Sequence, residues 1–184
     1  MFKWLKERRY RRMQCGNAEV LIEYLICNAW QIEVDEKESG NVMRGRSVPN
    51  DVGDAMSFEV GFDENKLFSI MTLNLEVSPD RVAAVAELTC RMNSNLKKHD
   101  MIIGHYQFDI DTRQIRYCVR MTHEDFGFSA IEKADQLMMF PVMMLLLAKT
   151  AFAKVINGEA SVVEAFQEYE GQDKRDDSDD AAKD

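Results

Sequence analysis

The chain has 184 residues, 46% of them hydrophobic, and a formal net charge of −9. That size fits one folded domain with loose ends, and that composition is ordinary for a globular core. An acidic balance, with a sequence pI near 4.9, argues against nucleic acid or an anionic membrane as the main partner, since both repel acidic surfaces.

Residues 1–16 hold a basic block, Lys3, Lys6, Arg8, Arg9, Arg11 and Arg12, with Phe2, Trp4, Leu5 and Tyr10 interspersed. It reads as a frayed terminus rather than an amphipathic membrane helix. No apolar stretch of the secretory type follows it. Cys15, Cys27, Cys90 and Cys118 stand far apart without a CxxC pair, which suits a reducing cytoplasm and free thiols better than a disulfide framework.

Asn17 is a candidate N-cap for a first helix ending near Ala29, with Val20, Leu21, Tyr24 and Leu25 at helical spacing. Trp30–Val34 alternates as a strand does. Asp35–Ala55, punctuated by Gly40, Gly45, Pro49 and Gly53, reads as a long connection in which Val42-Met43-Arg44 could add a short strand. Met56–Phe62 has period two, and Asp63–Lys66 turns into a strand running from Leu67 to Val77. Ser78-Pro79-Asp80 opens a second helix whose inward stripe is Val82, Val85, Leu88, Met92 and Leu96. Gly104 leads into a hairpin. Tyr106, Phe108 and Ile110 share a face with Ile115, Tyr117, Val119 and Met121, and Asp111-Thr112-Arg113 forms the turn.

The last long helix starts at a capping box, Ser129 with Glu132, and stops at Asn157-Gly158. Its stripe is Ile131, Ala134, Met138, Val142, Leu145, Ala148, Phe152 and Val155. Met139, Met143, Leu146 and Leu147 lie off that stripe as an apolar surplus, and Pro141 predicts a kink. The uncharged run Leu137–Ala148 falls short of the ~20 residues a bilayer span needs, so stable membrane insertion is not expected. A second box, Ser161 with Glu164, opens a short helix carrying Val162, Val163 and Phe166. The acidic stretch 171–184 reads as a disordered tail, leaving 17–170 as a single α+β domain. The expected fold is an antiparallel sheet with helices on one face, in the order α-β-β-β-α-β-β-α plus the short terminal helix.

Chemistry is sparse. His99, His105 and His123 lack metal-ligand spacing, and no nucleophile elbow or glycine-rich phosphate loop occurs. Neither a cofactor, a metal nor a catalytic residue is expected, and Asp109 with Asp111 reads as turn chemistry. Arg116 and Arg120 share one side of a hairpin strand and are candidates for binding an acidic peptide, set against their being part of a solvated sheet face.

The segments Phe58–Ser69, Ser78-Pro79, Gly104–Asp111 and Ile115-Arg116-Tyr117, with the long helix ending at Asn157-Gly158, resemble the YbjN-type family of bacterial sensory transduction regulators. That resemblance implies a fold similar to type III secretion chaperones, which are commonly dimers that bind polypeptides. It carries no catalytic residue. The expectation is therefore a non-catalytic, cytoplasmic, chaperone- or adaptor-like homodimer. Its candidate partner-binding residues are Met139, Met143, Leu146, Leu147, Arg116 and Arg120. The alternative is a signal-sensing domain with a small-molecule pocket between sheet and last helix, lined by methionines such as Met138 and Met144.

Overall fold

The computed structural model describes residues 20–21, 23, 31–37, 40–47, 56–62, 66–96, 103–122 and 129–180. The fold is mixed α+β. Its strands are β1 (Gln31–Lys37), β2 (Gly40–Ser47), β3 (Met56–Phe62), β4 (Lys66–Leu73), β5 (His105–Asp109) and β6 (Gln114–Thr122), in the sheet order β1-β2-β3-β4-β6-β5. The helices are α1 (Val82–Leu96), preceded by a 3₁₀ turn at Pro79–Arg81, then α2 (Ala130–Asn157) and α3 (Val162–Asp180). Of the first helix expected near Asn17–Ala29, Val20, Leu21 and Glu23 are helical, and the remainder lies outside the described residues. The basic block at residues 1–16 lies outside them too.

The chain groups into two compact units that interleave in sequence. One takes the described residues up to Thr72 together with Cys118–Val142. The other takes Leu73–Tyr117 and the described residues from Met143 onward.

In the first unit, β1 to β4 form an antiparallel meander. Gln31 stands opposite Arg46, Met43 opposite Val60, and Phe58 opposite Met71. The long connection expected over Asp35–Ala55 is corrected here. Asp35–Lys37 completes β1, and Gly40–Ser47 is a full strand, so the order contains one strand more than expected. Gly45 looks like punctuation in the sequence, yet its register position lies between Ile32 and Phe58. Pairing on both sides overrides its weak strand propensity. Met56, Phe58 and Val60 of β3 are buried, as are Leu67, Met71 and Leu73 of β4, matching the expected alternation. Ser69 sits on that same face with a fully buried hydroxyl that has no hydrogen-bond partner.

In the second unit, the chain leaves β4 four residues earlier than expected. The Leu75 amide donates to the Leu73 carbonyl at 3.0 Å, a γ-turn that breaks the ladder. Ser78 adopts extended dihedrals before Pro79 without a side-chain cap bond. Val85, Leu88, Met92 and Leu96 of α1 are buried, as the stripe predicts. β5 and β6 are joined by a turn at Ile110–Arg113, in which Arg113 has φ 53°. Ile110 is 61% exposed. It was expected to share a face with Tyr106 and Phe108, but the strand ends at Asp109 and Ile110 opens the turn.

Both capping boxes form. The Ser129 amide donates to Glu132 Oε2 at 2.6 Å, and the Ser161 amide to Glu164 Oε2 at 2.9 Å, with reciprocal bonds to the serine hydroxyls. α2 runs 28 residues and continues as helix through Pro141. Gly158 (φ 73°) ends it. Its amide donates to the Val155 carbonyl at 3.2 Å and the Glu159 amide donates to Lys154 at 2.8 Å. This bond pair is the Schellman arrangement, which needs a left-handed residue at that point. The Arg81 guanidinium fills the space that a Cβ on Gly158 would take, and it places positive charge at the negative end of the helix. α3 is 19 residues long and reaches Asp180, in place of the short helix and the disordered tail expected from Gly171. Its buried anchors are Ala165 and Tyr169, while Val163 is 47% exposed.

Two stability changes are expected. Ser69→Ala removes an unpaired buried hydroxyl and should stabilise the fold by about 1 kcal/mol; a lowered urea midpoint would contradict this. Gly158→Ala imposes strain at a positive φ and displaces the Arg81 guanidinium. It should cost about 1–2 kcal/mol, read as a midpoint shift at unchanged denaturant slope.

Candidate interaction surface

One helix in this protein is apolar beyond what its buried side uses. In α2, Ala134, Leu137, Met138, Val142, Met144, Leu145, Ala148, Ala151, Phe152 and Val155 are buried. They occupy a broad arc, as expected for a core helix. Of the expected stripe only Ile131 departs, at 63% exposure, because it lies in the first turn of the helix. On the opposite arc Met139 is 44% and Met143 48% exposed. They are four residues apart and therefore neighbours on one face. Leu146 and Leu147, one turn on, are half-buried. Asp135 before the pair and Thr150 after it are exposed, so the apolar patch is narrow and bordered by polar groups.

The hairpin arginines differ from each other. The Arg116 guanidinium lies 3.0 Å from Asp109 Oδ2 and donates to Gln114 Oε1 at 2.7 Å and to Thr112 Oγ1 at 3.3 Å. Its fork is turned onto its own hairpin. Asp109 Oδ1 also accepts from the Asp111 and Thr112 amides, both at 3.1 Å. This is the side-chain mimic of a turn that short acidic residues provide. The Thr112 backbone bond, foremost, then the Thr112 hydroxyl, the Arg116 charge and the Asp111 amide hold the Asp109 carboxyl below its ordinary value, against a smaller opposing effect of desolvation. Arg120, two strand repeats further along, is exposed.

Sequence reasoning missed a cluster in the second unit centred on Tyr106, which is 1% exposed. Its hydroxyl donates to the Met144 carbonyl at 2.7 Å and lies 3.4 Å from the Tyr169 hydroxyl. Its ring meets Tyr117 edge-on at 4.9 Å, with Phe152 and Tyr169 at 6.2 and 6.4 Å, within the range where aromatic pairs attract. Its backbone is held by Asn93. The Tyr106 amide donates to Asn93 Oδ1, and Asn93 Nδ2 donates to the Tyr106 carbonyl, each at 2.8 Å. The signal for Asn93 was absent because an asparagine near a helix end reads as a stop residue.

An open cleft of about 420 Å³ is lined by Glu87, Cys90, Arg91, Ser94, Asn95 and Phe166. The pocket expected to involve Met138 and Met144 is a different place, and those two side chains are 0% and 5% exposed. Among the described residues no cluster of His, Cys, Asp or Glu could hold a metal. Ile131–Asn157 is long and apolar enough, by length and composition, to cross a membrane, with mean hydropathy 1.7. The core helix of a soluble protein passes the same test, and 44% of that window is buried within the protein.

No family model, curated protein or solved structure matches the chain.

Two outcomes are expected from these geometries. Tyr106→Phe leaves the Met144 carbonyl without its side-chain donor, and should destabilise by about 1–2 kcal/mol in urea melts. Because the Asp109 carboxyl titrates lower in the folded chain, its stabilisation is fully present above the unfolded carboxyl value and is lost as pH falls through the folded one. Asp109→Asn should therefore lower stability at neutral pH and flatten its decline below about pH 4. Parallel acid limbs for the two proteins would contradict that assignment.

Proposed function

We propose that the protein is a non-catalytic interaction module, chaperone- or adaptor-like, that works in the cytoplasm as a homodimer joined through the outer face of α2. The observation that carries this reading is the exposed pair Met139 and Met143, continued by half-buried Leu146 and Leu147. Methionine suits an adaptable contact because its side chain is flexible and polarisable. A second copy is a fitting partner for charge reasons as well. Asp135 precedes the methionines and Lys149 follows them, so antiparallel pairing of two such helices sets unlike charges, and unlike helix ends, side by side.

Membership of the YbjN-type family belongs to the same proposal, as does a secretion-chaperone-like arrangement with the helices on one face of the sheet. Both rest on the Phe58–Ser69, Ser78-Pro79 and Gly104–Asp111 segments. The antiparallel meander and the following α-β-β-α order are in keeping with it. Partner polypeptides would then meet the exposed Arg120 and the apolar α2 face, with Arg116 contributing less because its fork already engages Asp109.

Light scattering on the eluting protein tests the dimer. At micromolar concentration the expected mass is that of two chains, and a monomer would remove this reading. Met143→Asp should give a soluble monomer with an unchanged circular dichroism spectrum. Global unfolding of that variant would instead identify Met143 as part of the core.

A further inference from the structure

α1 packs against both β5 and α3, and it carries two asparagines that stand about 200° apart around the helix. Asn93 turns to β5, where it holds both backbone polar groups of one extended residue. Its Oδ1 accepts from the Tyr106 amide and its Nδ2 donates to the Tyr106 carbonyl, each at 2.8 Å. Asn95 lies in the wall of the open cleft that α1 forms with Phe166 of α3, within the second unit. It is 6% exposed, and its side-chain amide has no hydrogen-bond partner among the described residues. Unlike the sealed Ser69 hydroxyl, that amide is not fully enclosed and keeps access to the cleft. The other polar side chains of the wall are engaged within α1. Arg91 donates to Glu87 Oε1 at 2.9 and 2.7 Å, and the Ser94 hydroxyl donates to the Cys90 carbonyl at 3.0 Å. A largely buried carboxamide with neither donor nor acceptor used is costly, and it calls for a group that enters the cleft to meet it.

We infer that the cleft between α1 and α3 binds an extended peptide segment of a partner protein, and that Asn95 takes a backbone amide and carbonyl of that segment as Asn93 takes those of Tyr106. A carboxamide offers one acceptor and a donor side by side, and an extended residue presents its amide and carbonyl to the same edge. Asn93 shows this same helix holding an extended residue by that fork; Asn95 is the second fork, unused. The cleft holds about 420 Å³, inside the ~300–1,000 Å³ typical of ligand sites. Phe166, half-buried and stacked on Tyr169 at 6.4 Å, gives it an apolar wall for a side chain of the segment. The formal net charge of −9 favours a segment with basic residues. The inference rests on the reading of the protein as a polypeptide-binding module and adds a site to it, away from the α2 face and independent of the dimer.

The probe is a blocked hexapeptide of alternating lysine and valine, compared with a copy methylated at every backbone nitrogen. Binding is followed by calorimetry and by NMR of the asparagine side-chain amides and methionine methyls. The wild-type chain should bind the parent peptide with a dissociation constant below about 1 mM, and the Asn95 side-chain resonances should shift. Methylation removes the peptide's donors, and Asn95→Leu removes the fork while keeping a side chain of similar size. Each should weaken binding about tenfold. Asn95→Leu should fold with an unlowered urea midpoint, because no hydrogen bond is lost. A peptide that binds equally to Asn95→Leu would overturn the inference, as would the lack of binding by the wild type at about 1 mM peptide. Binding that leaves the Asn95 resonances unmoved and shifts the Met139 and Met143 methyls would also overturn it, yet would leave the adaptor reading standing with the α2 face as the peptide site. That result comes from the wild type alone and needs no variant to fold. A monomeric wild type that binds through Asn95 would defeat the α2 dimer and support the inference.

Discussion

Tyr106 is the residue on which the second unit depends. Its backbone is fixed by Asn93, its ring by Tyr117, Phe152 and Tyr169, and its hydroxyl by the Met144 carbonyl. Those contacts tie β5 to α1, β6, α2 and α3 through one residue. A buried tyrosine must satisfy its hydroxyl, and the cost of failing to do so is comparable to a lost hydrogen bond or more. The partner here is a helix carbonyl, whose second lone pair is free to accept alongside the helical bond. The arrangement restricts where α2 can lie against β5 in a way that apolar packing alone would not, because dispersion contacts tolerate sliding and a 2.7 Å hydrogen bond does not.

α2 shows how one helix can serve two environments. Its buried arc reads as ordinary core, even including Lys133, which is 5% exposed and keeps partners. Its outer arc has methionines where a solitary surface helix would carry charge. Exposed apolar residues scattered singly need no explanation, but a contiguous pair with half-buried leucines beside it forms a patch. The hairpin arginines make the contrasting point. A guanidinium in a sequence advertises anion binding, yet Arg116 is consumed by the turn that Asp109 and Thr112 build.

Much of the fold was legible because its signals are local. Ser129 with Glu132, Ser161 with Glu164 and the alternation of Ile115, Tyr117, Val119 and Met121 each lie within a few residues, and each appears as read. β2 was hidden because Gly40 and Gly45 look like breaks, and only pairing with β1 and β3 makes that segment a strand. α3 was cut short because beyond Gly171 its composition is too polar to anticipate ordered helix. The exposed Met139 and Met143 followed from helical spacing. The Tyr106 cluster did not, since Asn93 is 13 residues away and Tyr169 is 63, and no periodicity links such positions. Ile131 and Ile110 were misassigned for one shared reason: each lies at the end of an element, where a periodic pattern continues on paper but the backbone no longer presents it.

The junction between α2 and α3 has a consequence for how the chain assembles. Between Lys154 and Ala165 the turn is held by bonds that close within the segment itself, among them the two Schellman bonds, the Asn157 to Glu159 contact and the reciprocal Ser161 and Glu164 bonds. None requires a distant strand to be in place. Loop closure over so few residues is fast and entropically cheap compared with bringing β4 beside β6. The reversal can therefore form early, at a time when Tyr169 has no Tyr106 to meet. Collapse of the second unit then amounts to docking a helical hairpin already bent to shape, rather than bending one to fit.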